Sequence, residues 1–296
     1  MKKKIVSAVL LLTMSISLVA CGDKDKSKTA ESKEVDLSAA EVISKMSEAS
    51  ADINGIDAKA SINLDASVKS GDEEMPMTLK GDMTVKATED PVVAYVDADM
   101  SVKADEESQD MKYEVYCALE DDAYKVYFGN DSDGWMKTEM SLDELGIDMS
   151  SMTGSMEGLD ELYSDENIDE YFDDVKVTEK KVNGKACYSV KGNLSDELIS
   201  TSIDSLASLL YGDSFNAEDI PDIKLTFEVC ADKETNLPAA FYINAEVGEN
   251  EYVDLKACEM SIEYNGYDVD EIVIPEDALN GIDMSDSLSA AGDLGI

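Results

Sequence analysis

Apolar residues recur at every second position over long stretches of this chain, and that period decides most of what it can fold into. Ile62, Leu64, Ala66 and Val68 alternate with Asn, Asp and Ser. Met77, Leu79, Met83, Val85 and Ala87 repeat the pattern, then Val92, Ala94, Val96, Ala98, Met100 and Val102, then Met111, Tyr113, Val115, Cys117 and Leu119. Tyr124, Val126 and Phe128 form a fifth run, and Trp135 opens a sixth. Side chains of an extended strand point alternately to opposite faces, so each run predicts a strand with one apolar and one wet face. Gly71-Asp72, Glu89-Asp90-Pro91, Glu120-Asp121-Asp122 and Gly129 to Gly134 supply turn residues between the runs. Clean alternation with short turns is the mark of an antiparallel meander.

The rest of the chain adds a second meander and some helix. Ser38-Ala39-Ala40-Glu41 reads as a capping box, and Leu37, Ala40, Ile43, Met46 and Ala49 continue it at helical spacing to about Asp52. Residues 141–174 are rich in Met, Gly, Asp and Glu and read as loops and short helices. Val175 and Val177, then Asn183-Gly184, then Ala186, Tyr188 and Val190 spell a hairpin. Ser195 caps a second amphipathic pattern through Leu198, Ile199, Ile203, Leu206, Leu209 and Leu210. Three strands follow at Ile223–Val229, Phe241–Val247 and from Val253 onward. In the third, the apolar phase slips from Val253, Leu255 and Ala257 to Cys258, Met260, Ile262 and Tyr264, as a β-bulge requires. The expected fold is α+β, a strongly curved antiparallel sheet of about 11 strands wrapped around helices packed on its concave face. The domain is expected over residues 37–280, with a flexible tail over 281–296.

The N-terminus carries an address. Lys2, Lys3 and Lys4 precede the apolar run Ile5 to Ala20, a secretory signal pattern too short for a comfortable membrane span. Its ending, Leu18-Val19-Ala20-Cys21, resembles the bacterial lipoprotein signal. That resemblance implies cleavage between Ala20 and Cys21, with 1–20 as signal peptide and a diacylglyceryl group on Cys21. Two acyl chains suffice for stable anchoring. Residues 21–36 are polar and aperiodic, a disordered tether whose 15 residues Gly22–Asp36 reach about 50 Å when extended. The expected location is the outer face of a bacterial cell membrane, with the lipid anchor as membrane contact.

Charge narrows the function. The chain has 66 acidic residues, no His, no Arg and a net charge of −42. Without His there is no Ser-His or Cys-His nucleophile pair and no imidazole ligand. Without Arg there is no bidentate clamp for phosphate. Nucleic acid, whose binding rests on neutralised phosphates, is excluded as a partner. The segment Gly129-Asn130-Asp131-Ser132-Asp133-Gly134 invites a calcium-loop reading, but with Gly134 at the sixth place the first and twelfth places fall on Gly129 and Met140. A turn is what remains. No catalytic residue, metal site or cofactor is expected, and the protein reads as a non-enzyme and a monomer. Besides Cys21, Cys117 and Cys258 lie in apolar phase and Cys187 and Cys230 in polar phase. Bridges would favour partners sharing a face, Cys117–Cys258 and Cys187–Cys230; free buried thiols are the equal alternative.

The element order, the Tyr-rich hairpin leading to Asp133-Gly134-Trp135-Met136-Lys137, and Ile274-Pro275-Glu276 near the end resemble the LolA-like and LppX/LprG-like bacterial lipoproteins, including Gram-positive members. The resemblance covers roughly Leu37 to Ala278. It implies a half-barrel with an apolar cavity between sheet and helices, in which some members carry lipids or lipoproteins. This chain departs from the lipoprotein-chaperone branch in being lipidated itself. Abundant Met suits an adaptable apolar surface. The expectation is therefore binding or carriage of a hydrophobic or lipid ligand, with Trp135, Tyr113, Tyr124, Leu206 and Leu209 as candidate contacts. The alternative is an acidic surface-interaction or structural module with no ligand cavity.

Overall fold

The structure, a computed structural model, describes residues 35–51, 53–70, 73–104, 107–120, 123–130, 134–141, 172–195, 223–247 and 253–284. The first meander runs β1 (Gly55–Ser70), β2 (Glu73–Glu89), β3 (Val92–Ala104), β4 (Glu107–Glu120), β5 (Ala123–Asn130) and β6 (Gly134–Ser141). The second runs β7 (Phe172–Val182), β8 (Lys185–Leu194), β9 (Ile223–Asp232), β10 (Pro238–Val247) and β11 (Val253–Gly266). Helix α1 (Ala39–Ser50) precedes them, and α2 (Glu276–Leu279) and β12 (Ile282–Asp283) follow.

Antiparallel pairing of β1 with β11 joins the two meanders into a single open sheet of 12 strands, ordered β12-β6-β5-β4-β3-β2-β1-β11-β10-β9-β8-β7. The sequence-adjacent strands β6 and β7 thus stand toward opposite ends of the sheet. The fold is predominantly β, and its helices are minor among the described residues. The sheet is mixed rather than purely antiparallel because β12 runs parallel to β6.

Local chemistry sets each boundary. The Ser38 hydroxyl accepts from the Glu41 amide at 3.1 Å, and the Ser38 amide donates to the Glu41 carboxylate at 3.0 Å, which closes the expected capping box. Asn183 and Gly184 both take positive φ, 49° and 82°, as the tight hairpin between β7 and β8 requires. The phase slip in β11 is present: Asp65 faces Ala257 and Ala66 faces Leu255, leaving Lys256 as the extra residue. Further register shifts interrupt β7–β8 and β9–β10. Bulges bend and twist a sheet, and a curved sheet fits these interruptions.

Cross-strand partners share a face, so the register reads out both sides. One row runs Val190–Val229–Phe241–Ile262–Ala60–Met83–Ala98–Tyr113. The next runs Phe227–Ile243–Met260–Ile62–Gly81–Met100–Met111. On the other face, Tyr242–Ser261–Ser61–Asp82–Asp99–Lys112 is polar. The main core lies on the apolar face, where Ile56, Ala58, Ile62, Leu64, Val85 and Ala87 are buried.

Terminal segments meet both flanks of the sheet at a few backbone positions. The Val35 amide donates to the Val177 carbonyl on β7 at 3.4 Å, and β12 adds to β6, with Met284 donating to the Lys137 carbonyl at 2.8 Å. Such partial pairing shortens the row of unpaired backbone groups that would template aggregation. Backbone pairing with β6, rather than any apolar pattern, places Ile282 and Asp283 beside that strand. Helix α1 packs Val42 and Ile43 against Val190 and Ala231 on the apolar side of β7–β9. Helix α2 lies on the polar side, with Ala278 against Tyr116 and Tyr127. The amphipathic pattern beginning at Leu198 and most of the acidic segment 141–174 lie outside the described residues. Among the described residues no helix is long and apolar enough to cross a membrane.

Candidate functional site: the apolar face

Alternation makes one face of each strand apolar, and the joined meanders line these faces up. Rings then meet across β7 to β11. Phe172 lies 6.4 Å from Phe227, Phe227 lies 6.0 Å from Phe241, Phe241 lies 6.0 Å from Tyr264, and Tyr264 stacks on Tyr267 at 5.6 Å. These separations are those of favourable aromatic pairs. Burial pushes the Tyr264 and Tyr267 hydroxyls above the usual phenol range. The Tyr267 hydroxyl closes this end of the face by donating to the Pro238 carbonyl.

The other half of the face is built differently. Met83, Met100, Met111 and Met260 stand among small residues such as Ala60, Ala98 and Gly81. The Met100 thioether folds over Gly81: a Cβ there would lie 2.2 Å from the sulfur, so a larger residue would displace the flexible Met100 side chain. Tyr113 packs on Phe128 at 5.0 Å, and its hydroxyl donates to the Met111 sulfur at 2.8 Å. Between α1 and the sheet remains a narrow cleft of about 20 Å³ walled by Ile43, Phe172, Val175, Val190, Phe227 and Val229. An open depression of about 740 Å³ spans β2–β5 and takes walls from both faces, Met100 and Met111 on one and Lys80 and Asp99 on the other.

The residues singled out from sequence are not all brought together. Tyr113 and Tyr124 lie on the apolar face, in register with Ala98 and Leu119. Trp135 lies on the opposite face, paired with Gly129 and packed on Tyr116 at 5.8 Å. Leu206, Leu209, Ala20 and Cys21 lie outside the described residues. The ring ladder through Phe227, Phe241 and Tyr264 was not singled out from sequence. Each of the three sits in the apolar phase of its strand, so phase could have found them, but contact depends on pairing register, which phase does not encode.

The polar face carries one compact network. Lys180 pairs with Glu228 at 2.8 Å, Ser189 donates to the same carboxylate at 2.5 Å, and Lys180 stands 4.3 Å over the Tyr242 ring. Tyr242 donates to Glu263 at 3.0 Å. Burial, with Glu228 nearby, pushes the Cys230 thiol up to about 12. Ser189 is 1% exposed and Cys230 is fully buried, so neither can meet a substrate, and the network reads as a pin for strand register. All four described cysteines are free thiols. Cys117 on β4 and Cys258 on β11 have β3, β2 and β1 between them, so no bridge can join them.

Fold and face together define a class: an open, bulged β-sheet protein with one continuous apolar face. A family described as a family of unknown function (DUF6612) matches residues 38–283, from the N-cap of α1 to the end of β12, and the chain belongs to it. No curated protein matches the chain.

Proposed function

We propose that this is a membrane-anchored extracytoplasmic lipoprotein, tethered through Cys21, whose apolar sheet face binds a hydrophobic molecule without catalysis. The observation that carries this reading is the face itself. A row of apolar residues runs unbroken from β8 to β4, with rings on one half and methionines on the other. Much of that row is core, but Phe227, Ile243, Met260, Met100 and Met111 beside it are only half-buried, and a contiguous, partly open apolar surface of this kind serves an interaction. Methionine adapts its shape to ligands of varied outline. The finer architecture, a LolA-like half-barrel with helices on its concave face, is part of the proposal, and α1 on the apolar side of β7–β9 supports it.

The test is a titration with the uncharged fluorescent probe N-phenyl-1-naphthylamine, using the Cys21→Ser chain to keep the protein in solution. Saturable binding is expected, weakened by Met260→Gln or Met111→Gln and untouched by Trp135→Ala. Retained circular dichroism and melting temperature separate lost binding from lost fold. Equal binding by all variants would remove the apolar face as the site.

A further inference from the structure

Resting on that reading, we infer that the apolar face accepts an uncharged lipid or amphiphile and discriminates against an anionic one. From β8 through β6, the described positions on this face include no lysine, and the chain has no arginine or histidine to take its place. The charged residues this span does carry there are acidic: Glu89 faces Val92 and Glu107 faces Ala104, both at strand ends. The cations nearest in register are at the β7–β9 hairpin end. Lys233 is engaged with Glu179 and stands 4.4 Å over the Tyr188 ring, and Lys181 pairs with Ala186 on the outermost strand. The other lysines of the central strands, such as Lys80, Lys86 and Lys112, project from the polar side.

A carboxylate or phosphate brought onto this face would lose water and find no counter-charge. An ionised group transferred to apolar surroundings without a partner is strongly disfavoured. The net charge of −42 adds long-range repulsion. A ligand with hydroxyl, ester or ring groups meets no such penalty. The polar side chains that punctuate the face, among them Tyr113, Tyr124, Asn130 and Thr138, are neutral hydrogen-bonding groups. The ring ladder gives flat faces to stack on.

The experiment is displacement of N-phenyl-1-naphthylamine from the Cys21→Ser chain by two amphiphiles with the same acyl chain, monoolein and oleate, at low ionic strength and pH 8.5. Monoolein is expected to displace at a concentration about tenfold or more below oleate, the scale set by placing an unpaired charge on an apolar surface. Gln109→Lys, at an exposed strand end of the same face, is expected to narrow that gap by improving oleate alone. Oleate displacing as well as monoolein, in wild type at low salt, overturns the charge discrimination and leaves hydrophobic binding standing. Failure of the probe itself to bind overturns both.

Discussion

The indole of Trp135 lies flat on Gly129, its cross-strand partner between β5 and β6. A Cβ on Gly129 would come within 2.8 Å of the ring atoms, so the glycine makes the site that the ring fills. The same ring packs on Tyr116, and the chain around Gly281 lies against the backbone of Trp135. The Lys137 ammonium donates to the Leu279 carbonyl at 3.0 Å and fixes that segment. Trp135 thus fastens the C-terminal segment to the polar face, far from the surface proposed to bind ligand.

Gly129→Ala should therefore destabilise the domain by about 1–3 kcal/mol, the usual cost of overpacking. Trp135 is the chain's single tryptophan, so its emission reports the site directly. A red shift in the folded variant, with a lower urea midpoint, is expected. An unchanged spectrum and midpoint would mean the ring does not rest on Gly129.

Asp97 and Glu114 are directly opposed on β3 and β4. Like charges so placed destabilise a sheet. Asp97→Asn should raise stability by about 0.2–1 kcal/mol at low ionic strength, and the gain should shrink at about 1 M salt, where screening acts within roughly 3 Å. Urea denaturation at the two salt concentrations checks both parts.

Alkaline pH should weaken the fold. Burial pushes the Cys117 thiol up to about 11 and, with Glu228, the Cys230 thiol up to about 12. Burial raises the Tyr95, Tyr242 and Tyr264 hydroxyls as well, with Glu114 adding to the first and Glu263 to the second. Above the ordinary thiol and phenol range, the unfolded chain has lost these protons while the folded one keeps them. The stability they contribute is complete below pH about 8.5 and is lost as pH rises toward the folded values. The urea midpoint should fall between pH 8.5 and 11; a flat profile would contradict the burial of these groups.

Glu228 holds both Lys180 and Ser189. Glu228→Leu leaves the ammonium and hydroxyl without their acceptor and should cost about 1–3 kcal/mol, below the range for a fully buried pair because both Lys180 and Glu228 are partly exposed. Adding Lys180→Met should recover much of the loss, and additive effects in this double-mutant cycle would show that the two do not interact.

Much of the fold could be read from residue spacing. The period-two runs located the strands, Ser38 and Glu41 located α1, Asn183-Gly184 located its hairpin, and the slip before Cys258 located the bulge. The β1–β11 pairing could not be read, because it joins segments almost 200 residues apart and depends on register rather than phase. The parallel addition of β12 escaped for a similar reason: Ile282–Asp283 is held by backbone bonds to β6 and has no periodicity of its own. Of the candidate site, phase alone put Tyr113 and Tyr124 on the apolar side. Trp135 is large and apolar, yet its phase opposes that of Phe128 and Met136, and only the Gly129 site explains an aromatic ring on the polar face.

The central claim is that the apolar face carries a hydrophobic molecule. Native mass spectrometry of the full chain, extracted from its own membrane in mild detergent, measures this directly. The account predicts a protein mass increased by one or more non-covalent lipid adducts, in addition to the anchor on Cys21 and released on activation. A clean anchored mass with no adduct, unchanged after incubation with monoolein, would contradict it.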